Sequence, residues 1–230
     1  MTDIDFRGLS GYLARATSGT GGAVLLVPFA FGLNQRVRDL ADDLAASGLT
    51  TLVWDPYPGL PPITDHHQIR GRAAALKDSA VIAELTTCVD HLREDVKATR
   101  IGTIGFCMGG RFNLLHAARD HRLAAVVPYF PTIVRPMPPH LEVDAVEAAA
   151  AIPAPVHLIY AGNDHLTVRD TFVELRDALE NRDAPTTVQV YPHASHGFMD
   201  LDGHPEAVDQ AARDASWPQA VAFLKAHLDA

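Results

Sequence analysis

Apolar positions along the chain follow two rhythms that take turns. The run Ala23-Val24-Leu25-Leu26-Val27, within residues 22–28, is apolar at every position. That is the pattern of a strand buried on both faces of a parallel sheet. Beyond Asn34 the spacing changes to three and four, with Val37, Leu40, Ala41, Leu44 and Ala45 on one face. This predicts an amphipathic helix capped by Asn34 and ended by Gly48. The alternation then repeats. Strands are predicted over 49–54, at Thr103-Ile104, and over 123–129, 156–160 and 187–191. Helices are predicted over 79–92, from about Phe112, over 142–151, over 169–179, and over 205–228 with a break near Pro218.

Residues 6–14 predict one further strand, joined to the next by a flexible turn over 17–22. Residues 56–71 hold four prolines and the His66-His67 pair without a steady period, and read as a loop over the edge of the sheet. Residues 131–139 read as a rigid, proline-rich loop. No repeat or linker interrupts the order. The expected architecture is a single domain over residues 1–230, of class α/β, with a mostly parallel, doubly wound sheet and helices on both faces.

Composition narrows the range of partners. The 230 residues are 47% hydrophobic and 20% charged, enough apolar surface to cover both faces of a sheet. A formal net charge of −9, with no run of Lys or Arg, argues against nucleic acid or an anionic membrane as partner. Two cysteines cannot build a disulfide framework, and the N-terminus lacks the basic and apolar regions of a signal peptide. A cytoplasmic protein is expected, as a monomer or small homo-oligomer. Cys88 falls in the apolar stripe of the 79–92 helix and reads as packing. The histidine pair at 66–67 lacks the spacing of a zinc site, so no metal is expected there.

The chemistry centres on Gly105-Phe106-Cys107-Met108-Gly109-Gly110. A β-branched stretch runs into a Gly-X-Cys-X-Gly turn and on into a helical pattern. This is the spacing of a nucleophile elbow with Cys in place of Ser. The glycines let backbone pass where a Cβ would collide, and the helix N-terminus favours the thiolate. Such a thiol needs a base, and the base needs an orienting carboxylate. Asp164 follows the 156–160 strand and His196 follows the 187–191 strand, in the chain order nucleophile, acid, histidine. His193 lies too close to its strand, His165 would point away from the acid, and Asp170 and Asp200 read as solvated or capping residues. The oxyanion hole is expected from the N–H groups of Met108 and Ala30. Phe29, Trp54, Tyr129 and Phe198 are candidates to line the pocket.

These residues resemble the dienelactone hydrolase family, thiol-dependent α/β-hydrolases that open cyclic and linear esters. The carrying motifs are the elbow, Gly162-Asn163-Asp164-His165 and Ser195-His196-Gly197-Phe198, with weaker support from Phe31-Gly32-Leu33-Asn34, Asp55-Pro56-Tyr57 and Val127-Pro128-Tyr129. The resemblance implies an α/β-hydrolase fold over about residues 6–228. It also implies a Cys107–His196–Asp164 triad, a small ester or lactone as substrate, and no cofactor. Two positions differ from the resembled enzymes. Phe29 stands where they carry a glutamate that partners the resting thiol, and Asp200 stands where they carry an arginine that helps hold a substrate carboxylate. The resemblance therefore speaks to fold and mechanism more than to specificity. Two other readings use the same residues. One is a hydrolase-like protein that uses Cys107 for redox sensing or keeps only a ligand pocket, and the other is a thioesterase or peptidase.

Overall fold

The computed structural model describes residues 1–19, 21–61, 63 and 66–229, so parts of the expected 17–22 turn and 56–71 loop lie outside the described residues. In chain order the elements are β1 (Thr2–Phe6), β2 (Leu9–Ala14), β3 (Ala23–Val27), α1 (Gln35–Ala46), β4 (Thr50–Trp54), α2 (His66–Ala75), α3 (Asp78–Glu94), β5 (Ile101–Phe106), α4 (Met108–Ala117), β6 (Leu123–Tyr129), α5 (Ala145–Ala149), β7 (Val156–Asn163), α6 (Arg169–Glu180), β8 (Thr186–Ser195) and α7 (Ala207–Leu228). The strands form one sheet in the order β1-β2-β4-β3-β5-β6-β7-β8. From β4 to β8 every pairing is parallel, and β1 and β2 are antiparallel additions at one edge.

The all-apolar β3 is explained by its neighbours. Leu25 and Val27 face a core shared with α3, α4, α5 and α6, while Val24 and Leu26 face a second core shared with α1 and α7. Successive side chains of a strand point to opposite faces, so a sheet covered on both sides needs apolar residues at every position. Asn34 caps α1 as expected, its side chain accepting from the Val37 N–H at 3.0 Å.

Three local expectations are corrected. Residues 6–14 are not one strand: Arg7 and Gly8 take positive φ values of 49° and 84° and turn the chain into a hairpin. Positive φ at both turn residues gives the backbone twist that suits adjoining strands. The 56–71 segment is not wholly loop, since α2 begins at His66 and His67 is exposed on it. And α7 does not break at Pro218. Pro218 and Asp214, the residue whose carbonyl loses its partner, both lie on the exposed face, so the freed carbonyl is not sealed away from solvent. Ala212, Ser216, Ala220, Leu224 and Leu228 hold the opposite face in the core. Among the described residues no helix is long and apolar enough to cross a membrane.

One buried ion pair fastens the helix that carries the elbow. Arg111, in the second turn of α4, donates to both oxygens of Asp78 at 2.6 and 2.8 Å. Asp78 is the first residue of α3 and also accepts from the Glu142 and Val143 N–H groups, each at 2.9 Å. Arg111 completes the knot by donating to the Val143 carbonyl. Both charges are buried, so removing one leaves the other uncompensated in a poorly solvating interior. Asp78→Ala is expected to cost about 3–5 kcal/mol of stability in chemical denaturation. The double exchange of Asp78 and Arg111 to Leu and Met is expected to cost less than Asp78→Ala alone.

Candidate active site

Cys107, Asp164 and His196 are each the first residue beyond a parallel strand: β5, β7 and β8 respectively. Parallel strands end on one edge of the sheet, so three residues distant in sequence meet in space. The structure extends β7 to Asn163 and β8 to Ser195, further than the sequence pattern indicates. His193 is therefore inside β8 with its side chain exposed, and His196 is the residue that turns in from the strand end.

The elbow is held by close contacts that only glycine permits. A Cβ on Gly109 would lie 2.2 Å from the Val27 carbonyl oxygen and 2.4 Å from that of Pro28, and one on Gly105 would lie 2.4 Å from the Gly109 oxygen. The start of α4 is thus pressed against the exit of β3, and Cys107 is forced into a strained φ of 56°. Its main chain is pinned by a bond from its N–H to the Tyr129 carbonyl at 3.1 Å and by the Thr132 N–H donating to its carbonyl at 3.0 Å. The β3 exit continues into Phe29 and Ala30, which line the same cavity as Cys107 and His196. Met108, the other expected oxyanion residue, opens α4 immediately after the thiol.

His196 is buried and its orientation is fixed. Its Nδ1 lies 2.7 Å from Asp164 Oδ2, while the other oxygen of Asp164 accepts from the Leu166 and Thr167 N–H groups at 2.8 and 2.9 Å. The Phe130 ring meets the imidazole edge-to-face at 5.3 Å. Asp209, buried in α7, accepts from the Ser195 N–H at 2.7 Å and so anchors the residue just before the histidine. Thr132 lies between the two reactive groups: its hydroxyl is 3.2 Å from Cys107 Sγ and 3.5 Å from His196 Nε2.

The electrostatics favour a charged pair. Burial by itself raises the Cys107 thiol, but His196, the Thr132 hydroxyl and the Met108 N–H outweigh it and hold the thiol below its ordinary value. Burial pulls His196 down, but Cys107 and Asp164 outweigh it and push the imidazole up to about 10. Phe29 stacks on Phe106 at 4.9 Å and brings an uncharged ring, not a carboxylate, to this side of the cavity. Cys88 is the opposite case. It is fully buried in α3, and burial pushes its thiol upward, as expected of a packing residue.

The cavity holds about 510 Å³ and is lined chiefly by apolar side chains, including Phe29, Phe31, Ile63, Ile69 and Leu166. Three of the expected pocket residues are core instead. Trp54 is wholly buried beneath α3, donating from Nε1 to Glu84 at 2.8 Å and meeting Phe112 edge-on. Tyr129 and Phe198 are likewise fully buried, packed against Phe130 and behind the histidine rather than on the cavity wall. The reason is common to all three: an aromatic residue at a strand end or tight turn also serves to seal the core below the site.

His165 and Asp200, read from sequence as turned away or solvated, line the cavity together with His204. His165 meets His196 edge-to-face at 5.9 Å. His204, Glu206 and Asp209 bring potential ligand atoms within 4.8 Å of one another. Asp209 accepts from the Ser195 N–H through Oδ1 and its Oδ2 lies 3.2 Å from His204 Nδ1, so Asp209 ties the end of β8 to the start of α7. Sequence reasoning also missed Thr132. The one available signal was its place just past β6, the strand beside β5, because a loop there must face Cys107.

Comparison with known proteins agrees with this geometry. The dienelactone hydrolase family matches residues 9–228 of the chain. A Salmonella typhi protein provisionally named a carboxymethylenebutenolidase is 30% identical over 227 residues, covering 93% of this chain and 82% of its own length. The carboxymethylenebutenolidase of Rhodococcus opacus is 29% identical over 222 residues, covering 94% and 85%. Among solved structures, a Klebsiella pneumoniae protein provisionally described as a dienelactone hydrolase superposes with a TM-score of 0.83 at 26% identity, covering 97% of this chain and 96% of that one. Matched along nearly its whole length in sequence and in fold, the chain belongs to the dienelactone hydrolase family.

Proposed function

We propose that the protein is a cysteine-dependent hydrolase that opens a small ester or lactone through an acyl-enzyme on Cys107. The observation that carries this reading is the convergence of Cys107, His196 and Asp164 from three strand ends on one cavity, with His196 fixed by Asp164 at 2.7 Å. The ester or lactone class is the one that the relatives' names indicate.

The reaction follows from the roles of these groups. The Cys107 thiolate attacks the carbonyl carbon, and the carbonyl electron pair moves onto oxygen, facing the N–H groups of Met108 and Ala30. Collapse breaks the bond to the leaving oxygen, which takes the Nε2 proton of His196. In a lactone that oxygen stays tethered to the acyl chain. Water then gives a proton to Nε2 and attacks the thioester, and the carbon–sulfur bond breaks to restore the thiolate. Asp164 holds the tautomer of His196 while it is neutral and stabilises its positive charge whenever Nε2 is protonated. Both cysteines are free, and a thiol that must stay reduced for turnover suits the reducing environment of the cytoplasm.

Cys107→Ala and His196→Ala are each expected to lower kcat/KM for p-nitrophenyl acetate by at least about a thousandfold with the fold retained. Asp164→Asn should lower kcat far more than it changes KM. Turnover by Cys107→Ala at more than about a tenth of the wild-type rate would remove the nucleophile assignment, and a protein whose only thiol chemistry is oxidation would return the reading to a redox sensor.

The resting ion pair gives a pH-dependent expectation. Cys107 should be alkylated by iodoacetamide rapidly at pH 6, below the ordinary thiol midpoint of about 8.5. Phe29→Glu would place a carboxylate beside the sulfur, disfavour the thiolate and move that midpoint upward. A wild-type midpoint at about pH 8 to 9 would mean that burial outweighs the ion pair.

A further inference from the structure

We infer that Thr132 is a catalytic residue: its hydroxyl bridges Cys107 Sγ and His196 Nε2 and holds them as a charged pair. This rests on the nucleophile and base assigned above. The bridge is geometric first, with the hydroxyl oxygen 3.2 Å from the sulfur and 3.5 Å from the ring nitrogen. A hydroxyl has one donor and two acceptor positions, a thiolate only accepts, and the Nε2–H of an imidazolium only donates. One hydroxyl therefore serves both at once, giving its hydrogen to sulfur and a lone pair to Nε2–H, beside the direct contact of the imidazole with the sulfur. With the neutral pair the same hydroxyl would bridge in the opposite sense. Hydrogen bonds to ionised partners are the stronger kind, so the bridge biases the equilibrium toward thiolate and imidazolium.

The side chain is built into position and is not an incidental neighbour. The Thr132 N–H donates to the Cys107 carbonyl at 3.0 Å, which ties the loop directly to the strained elbow. On either side of it, Thr167 Oγ1 donates to the Pro131 carbonyl at 2.6 Å and accepts from the Ile133 N–H at 2.8 Å. Thr167 is fully buried, and its own N–H donates to Asp164 Oδ1 at 2.9 Å. One buried threonine thus couples the loop of the acid to the loop that presents Thr132. The two loops are tied together, and the main chain that carries the Thr132 hydroxyl is held on both sides of it.

Other titratable groups face the thiol from the surrounding elements. Tyr57, from the loop after β4, lies close enough to feel its charge, and its hydroxyl touches Met108 Sδ at 3.9 Å. His165, after β7, stands against His196, and Asp164 lies behind it. Arg111, one turn along α4, is committed to Asp78. Thr132 is the uncharged donor in contact with both reacting atoms. Through the cycle it neither gains nor loses a proton. When the sulfur is acylated it loses its charge and with it the stronger bond. When the carbon–sulfur bond breaks, the departing thiolate recovers that bond, so the hydroxyl favours both formation of the nucleophile and its release.

Thr132→Val removes the hydroxyl while keeping the shape, and Thr132→Ser restores it. In Thr132→Val the pH midpoint for iodoacetamide alkylation of Cys107 should rise by about one to two pH units, and kcat/KM for p-nitrophenyl acetate should fall about 10- to 100-fold. Thr132→Ser should return both to within about threefold of wild type. The inference is overturned if Thr132→Val leaves midpoint and kcat/KM unchanged, or if Thr132→Ser is as impaired as Thr132→Val, which would make the methyl packing responsible. Should the valine variant not fold, Thr132→Ala gives the same comparison against serine. A Cys107→Ala protein as active as wild type would instead overturn the nucleophile assignment, while the alkylation midpoints would still decide whether Thr132 sets the charge of the thiol.

Discussion

The active site hangs on the place where Gly109 lies against the carbonyls of Val27 and Pro28. At that point the backbone of α4 and the exit of β3 are closer than any side chain would permit, and the contact has two results at once. It bends Cys107 into a positive φ that lifts the thiol clear of the strand, and it brings Phe29 and Ala30 alongside. Strain of this kind costs about 1–3 kcal/mol and persists only when its surroundings over-determine it. Here the surroundings are the fully buried parallel strands β3 and β5, the Arg111–Asp78 knot, and main-chain bonds to Tyr129 and Thr132. The fold is thus the means by which an unfavourable turn is held in place, and the turn is what makes the cysteine available.

Around that point, burial and charge oppose one another, and the balance determines the chemistry. An isolated thiol in this apolar cavity would stay protonated, and an isolated imidazole would stay neutral. Facing one another, with Asp164 behind the ring and Thr132 between, each stabilises the charged form of the other. Phe29 brings no like charge to the cavity wall near the sulfur, so less opposes the ion pair. The Phe29 ring also makes the wall more apolar, and Asp200 lines the same cavity. The strand ends thus bring Cys107, Asp164 and His196 together, while Phe29, Phe31, His165 and Asp200 line the cavity around them.

What could be read from sequence divides along the same line. The apolar run of β3, the cap at Asn34 and the strand-helix alternation carry strong local signals, and so do the glycines of the elbow, because each residue type there is dictated by sterics. The placement of Asp164 and His196 beside Cys107 was legible from their order and from strand ends, even though the ends themselves lie further along than the pattern suggests. The hairpin at Arg7-Gly8 was hidden because a non-glycine residue takes the first left-handed position. Pro218 misled because its break is harmless on an exposed face. Trp54, Tyr129 and Phe198 show that an aromatic near a strand end does not declare whether it seals the core or faces the ligand. Thr132, His165 and Asp200 belong to no period or motif, and only the fold places them on the cavity.

The most direct test of the central claim is a chemical one. The protein is mixed with p-nitrophenyl acetate, quenched in acid within the first turnover, digested and examined by mass spectrometry. The account predicts the mass of one acetyl group on the peptide containing Cys107, released again when quenching is delayed, and none on the peptide containing Cys88. Turnover with no adduct on Cys107 at any time, or an adduct on another residue that forms and decays at the rate of the reaction, would contradict it.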